Sequence, residues 1–301
     1  MKTLRVRLLF PVTEPFIEDG KLILDNKGEI IYVGKWDGKK KGELITWDGI
    51  AFPGFVNCHV HLELCGLKNK IPKGLGVTNW VRLLQQKRAL LRKEDIKSGI
   101  IKGIEDMKKD GIVAIGEVGN SFSSLEYLAN SSFNVIYFFE VLGFMPDKAE
   151  EIFINSYMEL KKYQSLYPKI KFYIAPHAFY STSEKLIKLI FSNKEYKITT
   201  IHIAEGEEEI QFLQTGNGPW KDYLEEIKKF PSYWKPPNTS PVLYLKILAP
   251  SKKTILVHLC NLSRQDIDWL KQKKDIFNWD PLIMSLYLII TYGSFIKQKL
   301  A

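Results

Sequence analysis

The chain has 301 residues, 45% of them apolar, with 43 Lys and Arg against 34 Asp and Glu for a formal charge of +9. That suits one large domain or two small ones with a sizeable core. The basic residues are interleaved with acidic ones, as in Lys102-Gly103-Ile104-Glu105-Asp106-Met107-Lys108-Lys109, a solvated helix face that argues against nucleic acid as a partner. Cys58, Cys65 and Cys260 make no disulfide framework and stand in no CxxC spacing.

The first eleven residues alternate basic and apolar side chains, a strand pattern with too short an apolar stretch for a signal peptide. The apolar run 282–290 is far shorter than a bilayer span. A cytoplasmic protein without a membrane partner is expected. Residues 1–48 read as a small β unit: strands at 3–10, 21–24 and 29–33, a turn at 16–20, and a hairpin loop Asp25-Asn26-Lys27-Gly28 whose glycine suits a positive φ.

From residue 49 to 301 the pattern becomes strand, helix, strand, helix. Ile50-Ala51-Phe52 leads into Pro53-Gly54-Phe55-Val56-Asn57-Cys58-His59-Val60-His61-Leu62-Glu63. A glycine- and lysine-rich loop follows at 66–76, then a helix from 79 to about 109 with a break near Lys93-Glu94-Asp95. Further strands are read at 111–116, 134–140, 170–176, 198–204 and 255–258, with helices at 125–130, 148–167, 184–192 and 264–273. An insertion at 206–251 carries helices at 207–213, 220–229 and 241–248. About six βα units alternating in this way give an α/β fold with a parallel sheet. No GxGxxG follows the first strand, and polar residues recur at strand ends, so an incomplete (β/α)8 TIM-like barrel is preferred to a doubly wound sheet.

All five histidines, His59, His61, His177, His202 and His258, sit on or just after such strands. In an extended strand residues i and i+2 share a face, so His59 and His61 point the same way. With His202 they can supply three nitrogen ligands to one divalent ion, zinc foremost, iron or manganese otherwise. Such an ion lowers the pKa of a coordinated water. Glu205, three residues after His202, can shuttle that water's proton; His258 would orient or polarise substrate or water, and His177 would line the pocket. No HExxH motif is present.

Pro53 to Glu63 resembles the PGFVNxHxHLE signature of the amidohydrolase superfamily. Ala175-Pro176-His177-Ala178-Phe179-Tyr180-Ser181 resembles its APHAPYS segment, Ile201-His202-Ile203-Ala204-Glu205 its HxAE segment, and Val257-His258 its sixth-strand histidine. The resemblance covers residues 3 to 274 and points to the deaminase/chlorohydrolase-like branch. It implies a (β/α)8 barrel with a small β-sandwich built from both chain ends, and hydrolysis of a small molecule, often deamination of a purine or pyrimidine ring. His59, His61 and His202 become metal ligands, Glu205 and His258 catalytic residues, and His177, Glu63 and Trp80 substrate-binding residues; a homo-oligomer is compatible. Asn79-Trp80, Phe139-Glu140-Val141-Leu142-Gly143 and Gly218-Pro219-Trp220 are similar to the aminodeoxyfutalosine deaminases of the futalosine route to menaquinone. S-adenosylhomocysteine/methylthioadenosine deaminases and triazine-type hydrolases are the alternatives.

The resemblance ends at Lys274. The superfamily's eighth strand would close with a metal-ligating aspartate in a GTDS-like segment, and no GTD occurs here. Residues 275–301 are too few for two further βα units of about thirty residues each. Asp280 stands in no context that marks it as the replacement. A truncated or frame-altered remnant without activity is the competing expectation.

Overall fold

The structure, a computed structural model, describes residues 1–248 and 253–273. Contacts between Cα atoms divide it into two units, Met1–Phe55 and Val56–Ala301.

The first unit is a four-stranded sheet of β1 (Lys2–Leu9), β2 (Ile17–Leu24), β3 (Ile30–Lys35) and β4 (Glu43–Ala51), in the order β3-β2-β1-β4. β1 pairs antiparallel with β2 and parallel with β4. The β2–β3 turn forms as expected: Gly28 has φ +85°, and the Asp25 carboxylate accepts from the backbone N–H of Lys27 at 2.8 Å and of Glu29 at 2.9 Å. Of residues 16–20, expected as a turn, 17–20 instead begin β2. Ile17 and Glu18 pair with Leu9 and Leu8, and Arg5 donates two hydrogen bonds, 2.7 and 3.0 Å, to the neighbouring Asp19 carboxylate. Cross-strand partners thus hold a polar stretch extended. β4 was not anticipated. Ile50 and Ala51, read as the lead into the histidine strand, close β4, and the expected boundary at 48/49 falls inside it.

The second unit alternates strands and helices. β5 (Phe55–Val60) is followed by a 3-10 turn (Leu62–Leu67), α1 (Val77–Ala89) and α2 (Lys93–Lys109). Then come β6 (Ile112–Gly119), α3 (Leu125–Ala129), β7 (Asn134–Val141), α4 (Ala149–Leu166), β8 (Lys171–Pro176) and α5 (Glu184–Ser192). β9 (Ile198–Ile203) precedes α6 (Glu207–Thr215), α7 (Pro219–Glu226) and α8 (Pro241–Leu248), and β10 (Lys253–His258) precedes α9 (Arg264–Gln272). β5, β6, β7 and β8 are neighbours in that order, and β9 pairs with β10. The two groups meet where Ala178 bridges His202 and the His202 N–H donates to the His177 carbonyl at 2.9 Å. Pairing runs parallel from β6 to β7 to β8 and between β9 and β10.

This is an α/β fold of consecutive strands in which helices cover one side of the sheet, the barrel arrangement. Leu62, Ile100, Leu125, Tyr137, Ile174 and Leu186 anchor one apolar core, while Phe212, Trp220 and Leu245 belong to another beneath α6–α8. The expected break in the long helix falls at Leu90–Arg92, where the Asp95 carboxylate accepts from the Arg92 backbone N–H at 3.3 Å and from its guanidinium at 2.9 and 3.1 Å at the start of α2. The region expected to depart from the pattern, 275–301 with Asp280, lies outside the described residues.

Candidate active site

His59 is the penultimate residue of β5, and His61, just past the strand, is the N-cap of the 3-10 turn. That turn is held from below. The backbone N–H of Leu62 donates to both oxygens of the buried Glu117 on β6, at 3.3 and 3.2 Å. Burial pushes the Glu117 carboxyl well above the usual carboxylate range. The two imidazoles meet His202 of β9: His202 Nε2 lies 3.2 Å from His59 Nε2 and 3.3 Å from His61 Nε2.

The fit to a metal can be tested on these distances. A tetrahedral zinc with Zn–N bonds of ~2.0–2.1 Å needs ligand nitrogens about 3.3 Å apart. The tautomer also fits. His202 Nδ1 lies 3.0 Å from the His177 carbonyl, which can only accept, so Nδ1 carries the proton and Nε2 presents its lone pair to His59 and His61. Burial and the neighbouring histidines hold all three rings neutral, His61 pushed down to about 3 and His202 to about 4. Three unprotonated nitrogens crowded together are a poor hydrogen-bond network and a good ligand set. His59, His61 and His202 therefore fit a divalent ion. A second triplet of close donor atoms, Glu140, His177 and His202, does not fit a second ion alongside it, because the proton on His202 Nδ1 is spent on the His177 carbonyl.

Glu205 follows Ala204, whose φ of +53° turns the chain out of β9. Three bonds fix it: its N–H donates to Glu209 at 3.0 Å, its carbonyl accepts from Asn261 at 3.1 Å, and its Oε2 accepts from the Tyr180 hydroxyl at 3.0 Å. Oε1 remains 3.4 Å from His258 Nε2. Burial raises the Glu205 carboxyl above the usual carboxylate range. His258 ends β10 with φ +78°, a conformation rare for a residue with a Cβ. The continuing hydrogen bonds from Leu259 to Ile203 and from Cys260 to Ala204, 3.0 and 2.9 Å, hold that kink in place.

All eight residues singled out in the sequence line one cleft of about 670 Å³, within the range of small-ligand pockets. Glu63 differs from expectation in one respect. Arg88 engages its Oε1 at 3.1 Å and the Ser121 hydroxyl its Oε2, so both oxygens have protein partners. Trp80 stands at the rim on α1, partly exposed. The far wall is aromatic: Tyr180 and Trp220 stack with centroids 3.7 Å apart. The sequence reading missed Glu140, Arg88, Asn120 and Tyr180. For Glu140 a signal existed, an acidic residue near the end of an apolar strand. Tyr180 stands in the 175–181 segment, where the sequence reading gives it no role, and Arg88 and Asn120 are assembled only by tertiary contacts.

The amidohydrolase family pattern matches residues 50–285. The chain is 25% identical to an aminodeoxyfutalosine deaminase of Deinococcus radiodurans over 231 residues, 72% of this chain and 53% of that protein. It spans about half the length of the curated relatives it matches. Helicobacter pylori aminofutalosine deaminase in complex with methylthio-coformycin superposes with a TM-score of 0.78 at 19% identity, over 92% of this chain and 68% of that one. An adenosine deaminase from Xanthomonas campestris with bound zinc gives 0.65 at 16% identity, over 90% and 60%. At such identities the structural likeness speaks for the fold, and it agrees with the strand order found here. The sequence match, running through every one of the five histidines, makes this chain a member of the amidohydrolase family.

Proposed function

We propose that the chain is a metal-dependent hydrolase that deaminates an adenine-type nucleoside, similar in action to the aminodeoxyfutalosine deaminases. One observation carries the reading: the Nε2 atoms of His59 and His61 each stand at tetrahedral spacing from His202 Nε2, beside a buried carboxylate that faces a histidine. His59, His61 and His202 hold the ion, with zinc the first choice and iron or manganese the alternatives. When bound, the ion supplies a water acidified towards neutrality.

The remaining work falls to side chains. Glu205 takes the proton of the attacking water on Oε1 and returns a proton to the departing amine, which leaves as ammonia. Its raised pKa suits a group that must both take and give a proton near neutrality. Tyr180 keeps Oε2 occupied, so Oε1 is the oxygen that works. His258, 3.4 Å away, steadies the charge on Glu205 and polarises the reacting centre. Trp80, Tyr180 and Trp220 give a heteroaromatic ring apolar walls and keep bulk water out. The same reading makes this a cytoplasmic enzyme of the futalosine route; no described helix is long and apolar enough to cross a membrane.

A second reading, a catalytically inactive member, is favoured by one feature: the triplet facing the ion contains imidazoles alone, with no carboxylate among the described residues. The test is ammonia release from adenosine, methylthioadenosine, S-adenosylhomocysteine and aminodeoxyfutalosine by zinc-loaded protein. Ammonia from at least one supports the first reading. Bound zinc without ammonia from any of them supports the second.

A further inference from the structure

Glu117 of β6 takes no part in the chemistry above. It is fully buried, with no basic side chain paired to it among the described residues. Its charged neighbour is another acid, Glu63. A carboxyl in such surroundings is costly to bury, and a native chain rarely keeps one without a task. Besides the Ser124 hydroxyl at its side, what it meets is one backbone donor: the Leu62 N–H reaches both of its oxygens, at 3.3 and 3.2 Å. Leu62 opens the 3-10 turn, so that N–H has no partner inside the turn, and His61 provides no side-chain cap. The Leu62 side chain is itself packed in the core with Ile100 and Ile104. Main chain and side chain of residue 62 are thus both fixed, and the peptide that leaves His61 is fixed with them.

The next residue of the same strand holds the ring. The Val118 carbonyl accepts a hydrogen bond from the His61 imidazole. Nε2 of that ring faces His202 Nε2 at 3.3 Å, so the nitrogen given to Val118 is Nδ1, which carries the proton and leaves the Nε2 lone pair free. Glu117 and Val118 therefore grip His61 at two points, the main chain beside it and its ring. His202 is gripped in the same manner from the end of β8, where the His177 carbonyl takes both its N–H and its Nδ1–H, at 2.9 and 3.0 Å. His59 lacks the second point, since its Nδ1 has no partner among the described residues. Of the groups that grip the two better-held histidines, Glu117 alone acts through its side chain.

We propose that Glu117 is a positioning residue of the metal centre: by accepting from the Leu62 N–H it holds His61 in the orientation that presents Nε2 to the ion. The inference rests on the metal-centre reading and requires no particular substrate.

Three variants separate this role from plain stability. Glu117→Gln keeps an acceptor oxygen for Leu62. Glu117→Met matches the length and offers no acceptor. Glu117→Asp keeps a carboxyl and withdraws it by one methylene. Each is measured for zinc affinity by competition with a chelator, for the visible spectrum of the cobalt-substituted protein, and for circular-dichroism melting without metal. E117Q should match wild type in affinity and spectrum. E117M should bind zinc about 10- to 100-fold more weakly, with an altered cobalt spectrum. Wild-type affinity and spectrum in E117M overturn the proposal whatever its melting temperature, since Glu117 would then serve stability alone. An E117Q as impaired as E117M also overturns it, since an acceptor for Leu62 would not be what matters. Where E117M does not fold, E117D is read by the same two criteria. Wild type that binds no zinc removes the metal-centre reading and this proposal with it.

Discussion

Glu205 and Glu209 show how far two carboxyls in one short segment can differ in task. Glu205 keeps one oxygen open toward His258. Glu209, 1% exposed, spends Oε2 on the Glu205 N–H while Oε1 has no partner. Substitution of Glu205 by Gln keeps the shape and removes the proton carrier. Turnover of zinc-loaded protein should fall about 10²- to 10⁴-fold, with zinc content unchanged by elemental analysis; unaltered turnover would count against the shuttle. Burial raises the Glu209 carboxyl from 4.5 to about 8. The folded chain therefore keeps that proton when the unfolded chain has released it. The contribution to stability is complete below 4.5 and is lost as pH rises through about 8. Melting temperatures of Glu209→Gln between pH 5 and 9 should decline less with pH than those of the wild type, and parallel slopes would refute this. At this scale the histidines were legible because their residue type is scarce and each stood at a strand end. Glu140 carried a signal as an acidic residue near the end of an apolar strand, but its surroundings did not, since Asn120, His177 and Arg88 come from three other segments.

The elements that carry the site are positioned by close contacts that a sequence pattern does not display. α2 presses on the turn after His61 at Gly99: a Cβ there would lie 2.3 Å from the Gly66 backbone nitrogen. Gly99→Ala should destabilise by about 1–3 kcal/mol in chemical denaturation despite alanine's better helix propensity. A stabilised variant would show that the turn gives way freely. α1 is capped from another element, with Glu208 of α6 accepting from the N–H groups of Val77 and Thr78 at 2.9 and 3.2 Å. Glu208→Ala should cost about 0.5–2 kcal/mol. It should also raise KM more than it lowers kcat, because α1 carries Trp80 and Arg88 at the cleft; a pure kcat effect would contradict that. Strand and helix order in the second unit was legible from alternating apolar runs and from the cap at Arg92–Asp95. β4 and the first half of β2 were not. Their residues are polar or mixed, and they are strands because β1 offers them an edge to pair with.

At the scale of the molecule, the parallel strands bring histidines from β5, β8, β9 and β10 to one cleft, though nearly two hundred residues separate His59 from His258 in sequence. The fold class and the convergence could be read in advance because each strand end repeated the same kind of residue. Which nitrogen of each ring faces inward could not, since the His177 carbonyl decides it for His202. An ion that binds the folded chain and not the unfolded one stabilises it, by about 2.7 kcal/mol at a free concentration a hundredfold above Kd. The central claim is that His59, His61 and His202 form a metal centre, and equilibrium dialysis against zinc tests it directly on wild type and His202→Ala. The account predicts about one zinc per wild-type chain and at least a hundredfold weaker binding in the variant. Wild type that retains no zinc, or a variant that binds it as well as wild type, would contradict it.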